Sequence, residues 1–141
     1  MPLLWRDQLS VGNNVIDEDH KYLIEVINQV EKSLAAKNRS ELAKDLDSLT
    51  QYSLLHFERE ERIAKAVGYA QVEHLNQSHA NLMKNLDEVR GAFDAAGQEW
   101  SPETVGHFTK FLREWLIDHV IKEDLLMKPL MQKYSPAFDP R

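Results

Sequence analysis

The sequence has no cysteine among its 141 residues, and this absence excludes several kinds of site. Without thiolates the chain cannot form a disulfide scaffold, a zinc ribbon or a cysteine-ligated iron–sulfur cluster, and it has no cysteine nucleophile. No stretch approaches the length of an apolar membrane span, so we expect no membrane association. The N-terminus lacks a basic region followed by a long apolar run, and we therefore expect no secretory signal.

Basic residues are also fewer than acidic residues. The chain has 17 Lys and Arg against 23 Asp and Glu, which gives a formal charge of −6. No cluster of basic residues offsets this balance, so we expect no binding of nucleic acid. The length suits one domain with a substantial core. Composition therefore predicts an acidic, cytoplasmic single-domain protein that carries six histidines.

Glycine and proline are scarce, and neither occurs between Asn13 and Val67. Because these residues are the poorest in helix interiors, such gaps favour long helices. Apolar residues recur every three or four positions over 17–37, 40–67, 71–96 and 102–134, which predicts four amphipathic helices. An arm over 1–16 precedes them and a tail over 135–141 follows. We therefore predict an all-α fold, an antiparallel up-down four-helix bundle that forms a single domain over 1–141.

Helix start and stop signals support these boundaries. Asp17 is a good N-cap for the first helix, and Asn38, three residues before Glu41, is one for the second. Gly68 should end the second helix, and Ser101 followed by a proline should begin the fourth.

Polar residues interrupt the apolar stripes at informative positions. His56 and Glu60 lie one turn apart on the interior face of the second helix. His20, His79 and His119 lie on the interior faces of the first, third and fourth helices. Burying such groups without partners is costly, so they require hydrogen bonds, ion pairs or a metal.

A carboxylate on the fourth helix adds to this set. Asp124 lies five residues after His119, about 140° around a regular helix, on a neighbouring stripe that still reaches the bundle axis. Each residue alone is more often a member of a surface ion pair or a hydrogen-bonded core histidine than a metal ligand. The combination favours a metal, because each helix contributes an imidazole and two helices add a carboxylate. Nitrogen and oxygen donors suit iron, manganese or zinc, and bundle cores house dinuclear sites.

The motifs also occur in a recognisable order. The chain carries Trp5, Ser-Val-Gly at 10–12, Ile-Asp-Glu-Asp-His at 16–20, His-Phe-Glu-Arg-Glu-Glu at 56–61, Gly-Tyr at 68–69 and Trp-Leu-Ile-Asp-His-Val-Ile-Lys-Glu-Asp at 115–124. Over residues 4–134 this order resembles the hemerythrin-like domain family, and within it the bacteriohemerythrins. The resemblance implies two iron ions joined by an oxo or hydroxo bridge, without haem. It also implies one iron on His20 and His56, the other on His79 and His119, and bridging by Glu60 and Asp124.

One position departs from the family pattern. The third helix of the family carries two histidines four residues apart, the first of them six residues after the tyrosine of the Gly-Tyr motif. In this chain that first position is Leu75, whereas His74 lies one residue earlier and His79 is the second of the pair.

Three interpretations of His74 remain open. In the first, His74 is exposed and the second iron has only two imidazoles. In the second, His74 replaces the missing ligand through an irregular start of the helix. In the third, the site is impaired and holds one metal or none. A regular helix favours the first, because Leu75 continues the apolar stripe and His74 is turned about 100° away from it.

Other residues have simpler interpretations. His107 is rotated away from the interior face of its helix and is expected to be solvated or structural. A group of apolar residues is expected either to line a dry ligand pocket or to belong to the core. These residues are Leu23, Ile24, Trp115 and Leu116.

The resemblance implies a function for this centre, namely the reversible binding of dioxygen, with small anions as further ligands. We expect a binding protein rather than an enzyme. Because the chain ends soon after the fourth helix, we expect no attached signalling domain, which favours a carrier, store or supplier of oxygen. The alternative is a di-iron enzyme or stress protein that handles peroxide, nitric oxide or iron. A third hypothesis is a bundle whose polar core is structural, or that binds a protein partner of unknown identity.

Overall fold

A computed structural model describes residues 2–95 and 100–140, and this part of the chain is helical, without a strand. The molecule is a four-helix bundle in which α1 packs against α2 and α4, and α2 packs against α3. The predicted fold class is therefore confirmed. The four helices are α1 (Asn14–Ala35), α2 (Arg39–Ala66), α3 (Val72–Ala95) and α4 (Pro102–Glu114). Residue 96, where we predicted the end of the third helix, and residues 1 and 141 lie outside the described residues.

Beyond α4 the fourth helix continues, but its hydrogen-bonding pattern changes along its length. A π-helical segment (Trp115–Ile121) is followed by α5 (Lys122–Asp124), a 3₁₀ turn (Leu125–Met127) and α6 (Lys128–Met131). Among the described residues, no helix has the length and apolar character that crossing a membrane requires.

The N-terminus of α1 differs from the sequence prediction. Asn13, not Asp17, is the N-cap, and its side-chain oxygen accepts a hydrogen bond from the backbone N–H of Ile16 at 3.2 Å. Asp17 instead accepts hydrogen bonds from the Ser10 hydroxyl at 2.5 Å and the Val11 N–H at 2.9 Å. Aspartate and asparagine are both good N-caps, and the arm folds back onto Asp17 and occupies its carboxylate. The expectation for Asp17 was therefore wrong.

The other predicted caps agree with the structure. The side chain of Asn38 accepts a hydrogen bond from the N–H of Glu41, and that of Ser101 accepts one from the N–H of Thr104, both at 3.1 Å. Each cap satisfies a backbone donor that the first helical turn leaves without an internal partner.

Both α1 and α2 end in a left-handed residue, as the Schellman motif requires. Gly68 has φ of 77°, and the N–H of Tyr69 bonds the carbonyl of Ala64 at 2.9 Å. At the end of α1 the same role falls on Lys37, with φ of 55°. Because its Cβ makes this conformation costly, Lys37 is a strained position that glycine would relieve.

The π-helical segment changes which residues of the fourth helix face inward. Its hydrogen bonds run from i to i+5, so it contains an extra residue relative to an α-helix. A regular helix would place His119 inward. In the π-helical segment Val120 takes that inward position and is 1% exposed, whereas His119 is exposed. Likewise Met127 is fully buried and Leu126 is 63% exposed. The predicted inward orientation of His119 is thus wrong, and the extra residue is the reason.

The core consists of two apolar clusters with a polar layer between them. On each helix, a residue of the larger cluster and a residue of the smaller cluster flank the polar position, as Leu23 and Ile16 flank His20 on α1. Apolar packing on both sides of the polar layer therefore fixes the helices that carry it. Its buried members are His20, His56, Glu60, His79 and Asp124.

Candidate metal centre

Four buried side chains of this layer converge on one point. His20 comes from α1, His56 and Glu60 from α2, and Asp124 from α5, and their ligand atoms lie within 4.8 Å of one another. Nε2 of His20 is 2.7 Å from Oδ2 of Asp124, and Nε2 of His56 is 2.9 Å from Oε2 of Glu60. His56 and Glu60 meet because residues four apart share a helix face.

In the described part of the chain, several donor atoms of this group lie close to one another without meeting in the geometry of a hydrogen bond. They are Nε2 of His56, both carboxylate oxygens of Glu60 and Oδ1 of Asp124. An unpaired buried polar group costs about 1–3 kcal/mol, so such a concentration needs a compensating ligand. Two imidazoles and two carboxylates form a donor set that suits iron, manganese or zinc. The residues therefore fit a metal cation.

The pKa values of these buried groups are also shifted by their surroundings. Burial lowers the pKa of His20, and burial together with the charge of Asp124 raises the pKa of Glu60 well above its usual value. Burial also opposes the charged forms of His56 and Asp124. Hydrogen bonds outweigh it, raising the pKa of His56 and lowering that of Asp124. A cation bound among these groups would compete with protons for the same atoms.

Asp19, a residue whose role the helical pattern does not indicate, orients the imidazole of His56. Its carboxylate accepts hydrogen bonds from Nδ1 of His56 at 3.0 Å, the Tyr52 hydroxyl at 2.6 Å, and Nε and Nη2 of Arg59 at 2.9 and 2.7 Å. Burial raises the pKa of Asp19, but these bonds outweigh it and hold that pKa well below its usual range. Because Nδ1 of His56 is the donor, Nε2 is left for a metal, as in carboxylate–histidine–metal triads.

His79 lies beside the four converging residues. Its Nε2 is 3.3 Å from Oε1 of Glu60, so the two oxygens of Glu60 face different imidazoles. Phe57 stacks on the His79 ring at a centroid distance of 4.0 Å. Burial lowers the pKa of His79 to about 4, so the imidazole is neutral at pH 7, the form that binds metals.

Two histidines that were candidate ligands lie away from the cluster. His119 is exposed on the π-helical segment, and the side chain of His74 is 68% exposed, with Nε2 3.9 Å from a carboxylate oxygen of Glu123. Leu75 is 1% exposed and belongs to the smaller apolar cluster, which confirms that it continues the interior stripe of α3. His107 is exposed, as expected.

The four residues considered for a ligand pocket are all buried in the larger apolar cluster, and the indole N–H of Trp115 donates to the carbonyl of Leu82 at 3.0 Å. Their role in lining a pocket stays a prediction. A groove of about 340 Å³ between α2 and α3 has His79 and Phe57 in its wall. His79, a member of the polar layer, therefore borders this groove.

A buried group of histidines and carboxylates at the centre of a four-helix bundle defines a class of non-haem metal-binding proteins. A family model described as the hemerythrin HHE cation binding domain matches residues 11–131. The chain therefore belongs to the hemerythrin family.

Individual relatives agree with this assignment. The bacteriohemerythrin of Methylococcus capsulatus is 32% identical over 133 residues, which cover 93% of this chain and 98% of that protein. The bacteriohemerythrin of Pseudomonas aeruginosa is 30% identical over 86% of this chain and 76% of that protein. A solved structure of wild-type hemerythrin superimposes with a TM-score of 0.78 at 29% identity, covering 93% of this chain and 98% of that one.

Proposed function

We propose that this protein binds iron at the polar layer and uses it to bind dioxygen reversibly, as a carrier, store or supplier. The observation that carries the proposal is the group of four buried donors with unpartnered atoms, in a chain whose family model is described as cation binding. Iron at this position would supply reversible electron transfer to dioxygen. The protein would supply ligands, their orientation and a dry surrounding.

The donors divide into two positions for the two iron ions that the family resemblance implies. Nε2 of His20, Nε2 of His56, Oε2 of Glu60 and Oδ2 of Asp124 would hold one ion. Nε2 of His79 and Oε1 of Glu60 would contribute to the other. Glu60 would then bridge them, and the unpartnered Oδ1 of Asp124 leaves that carboxylate free to do the same.

The surroundings suit a small ligand of low polarity. Apolar clusters close the layer from both ends of the bundle, so bulk water is kept from the donors. The groove beside His79 is the approach that we assign to dioxygen and to small anions such as azide.

The test is to load metal-free protein with Fe²⁺ under anaerobic conditions, count the bound iron, and follow absorption through cycles of oxygen exposure and removal. We expect bound iron and a reversible ferric charge-transfer spectrum that azide changes. His56→Ala should lose iron, whereas the matched control His107→Ala, an exposed histidine, should not. Absence of iron, or an irreversible change on the first exposure to oxygen, would refute the proposal.

A second candidate function is an enzyme or stress protein that handles peroxide, nitric oxide or iron. Leu75 favours it, because an apolar side chain replaces an expected ligand and leaves open coordination positions. Steady consumption of peroxide or nitric oxide by the iron-loaded protein, and slower consumption by His79→Ala, would support this function instead.

A further inference from the structure

We propose that the two metal positions are unequal and fill in order, the first tightly and the second weakly. This inference rests on the proposed function, since it takes the polar layer to be the iron site. The first position is the one formed by His20, His56, Glu60 and Asp124. The second is the one beside His79.

The first position is built before any metal arrives. Its four donors are buried and lie within 4.8 Å of one another, so binding requires little movement. Asp19 fixes the ring of His56 from behind, and Tyr52 and Arg59 fix Asp19 in turn. Preorganised ligands of this kind bind more tightly, because the cost of ordering them is met during folding.

The second position lacks one donor because Leu75 lies one turn before His79 on the same face of α3. Leu75 is 1% exposed and packs in the smaller apolar cluster together with Ile63, Met127 and Met131. Its side chain offers no lone pair. Because His119 is also exposed, His79 contributes the only imidazole that the described residues place at this position.

Neither neighbouring histidine replaces the missing donor. The side chain of His74 is 68% exposed and reaches towards Glu123. His119 lies outward in the π-helical segment, and turning it inward would require Val120, which is 1% exposed, to leave the core. Recruiting His119 to the second ion thus has to overcome apolar packing that the first ion does not disturb.

The order of filling is measured by titrating metal-free protein with Fe²⁺ under anaerobic conditions against a chromogenic chelator. We expect two steps with dissociation constants at least tenfold apart, or one bound ion when the second step is too weak to detect. Two ions that bind together in one cooperative step would overturn the inference. Reversible dioxygen spectra in that case would leave the proposed function standing, whereas no binding at all would refute both.

Variants assign the two steps to the two positions. His79→Ala should remove only the second step, and His20→Ala should abolish or greatly weaken the first. Equal effects of these two variants would contradict the inference. His74→Ala is the matched control on α3, and loss of the second step in it would show that His74 is a ligand.

A gain-of-function variant tests the role of Leu75 directly. Leu75→His places an imidazole one turn before His79, and it should tighten the second step by tenfold or more, or make it appear. Far-ultraviolet circular dichroism should show that each variant retains its helices. A folded Leu75→His protein whose second step is unchanged would refute the assignment of the weak position to Leu75.

Discussion

Replacing Asp19 by asparagine tests whether the carboxylate behind His56 tunes the metal site. Asparagine keeps the size of the side chain but removes its charge and one of its two acceptor oxygens. In the structure that carboxylate accepts four hydrogen bonds, two of them from Arg59 and one each from Tyr52 and His56. After the substitution, the amide N–H₂ of residue 19 would face donors where an acceptor is needed.

The size of the effect follows from those bonds. Hydrogen bonds to a charged group contribute about 1.5–3 kcal/mol each, and an asparagine oxygen retains part of this, so unfolding free energy should fall by roughly 3 kcal/mol. Loss of the partner of a metal-binding histidine typically costs about 10–100-fold in metal affinity. Because the pKa of Asp19 is held well below its usual range, its contribution is complete at neutral pH and is lost only in acid.

The assay is chelator competition for Fe²⁺, together with urea unfolding of the metal-free protein. Asp17→Asn is the matched control, because Asp17 is a buried acceptor on the same helix whose partners, Ser10 and Val11, belong to the arm. We expect Asp17→Asn to lower stability and to leave iron affinity unchanged. If Asp19→Asn bound iron as tightly as the original protein, the assignment of Asp19 as a positioning residue would be wrong.

Three further predictions concern stability. Lys37→Gly should raise the unfolding free energy by about 1 kcal/mol, since glycine adopts the left-handed conformation freely; an unchanged or lower urea midpoint would argue against strain at this residue. Trp115→Phe should lower it by about 1–3 kcal/mol, because the carbonyl of Leu82 loses its buried donor, and an equal urea midpoint would contradict this. Fe²⁺ at 100 times its dissociation constant should stabilise the fold by about 2.7 kcal/mol, and a chelator should remove this stabilisation. A melting temperature that does not depend on iron would count against a metal site that exists only in the native state.

Local sequence signals were sufficient for most of the secondary structure. Asn38 and Ser101 cap their helices, and Gly68 ends α2, because capping depends on residues within one turn of each other. The positions of His20, His56, Glu60 and His79 on interior faces also follow from a period of 3.6 residues, and all four are buried.

The choice between two good caps was not local. Asn13 and Asp17 are both residues that begin helices, and the sequence does not say which of them the arm will contact. In the structure Ser10 and Val11 donate hydrogen bonds to the Asp17 carboxylate, and Asn13 is the N-cap. The role of Asp19 was hidden for a similar reason, since its three partners come from α2 and meet it only when the helices pack.

The sequence by itself determined that four amphipathic helices form and that their interior faces carry imidazoles and carboxylates. The register of the fourth helix was decided by the tertiary structure. Its π-helical segment buries Trp115, Leu116, Val120 and Ile121 together, which a regular helix does not achieve. Backbone hydrogen bonding sets the period within a helix, but packing against neighbouring helices decides where an extra residue is accommodated. That packing brings Asp124 into the metal group and turns His119 outward.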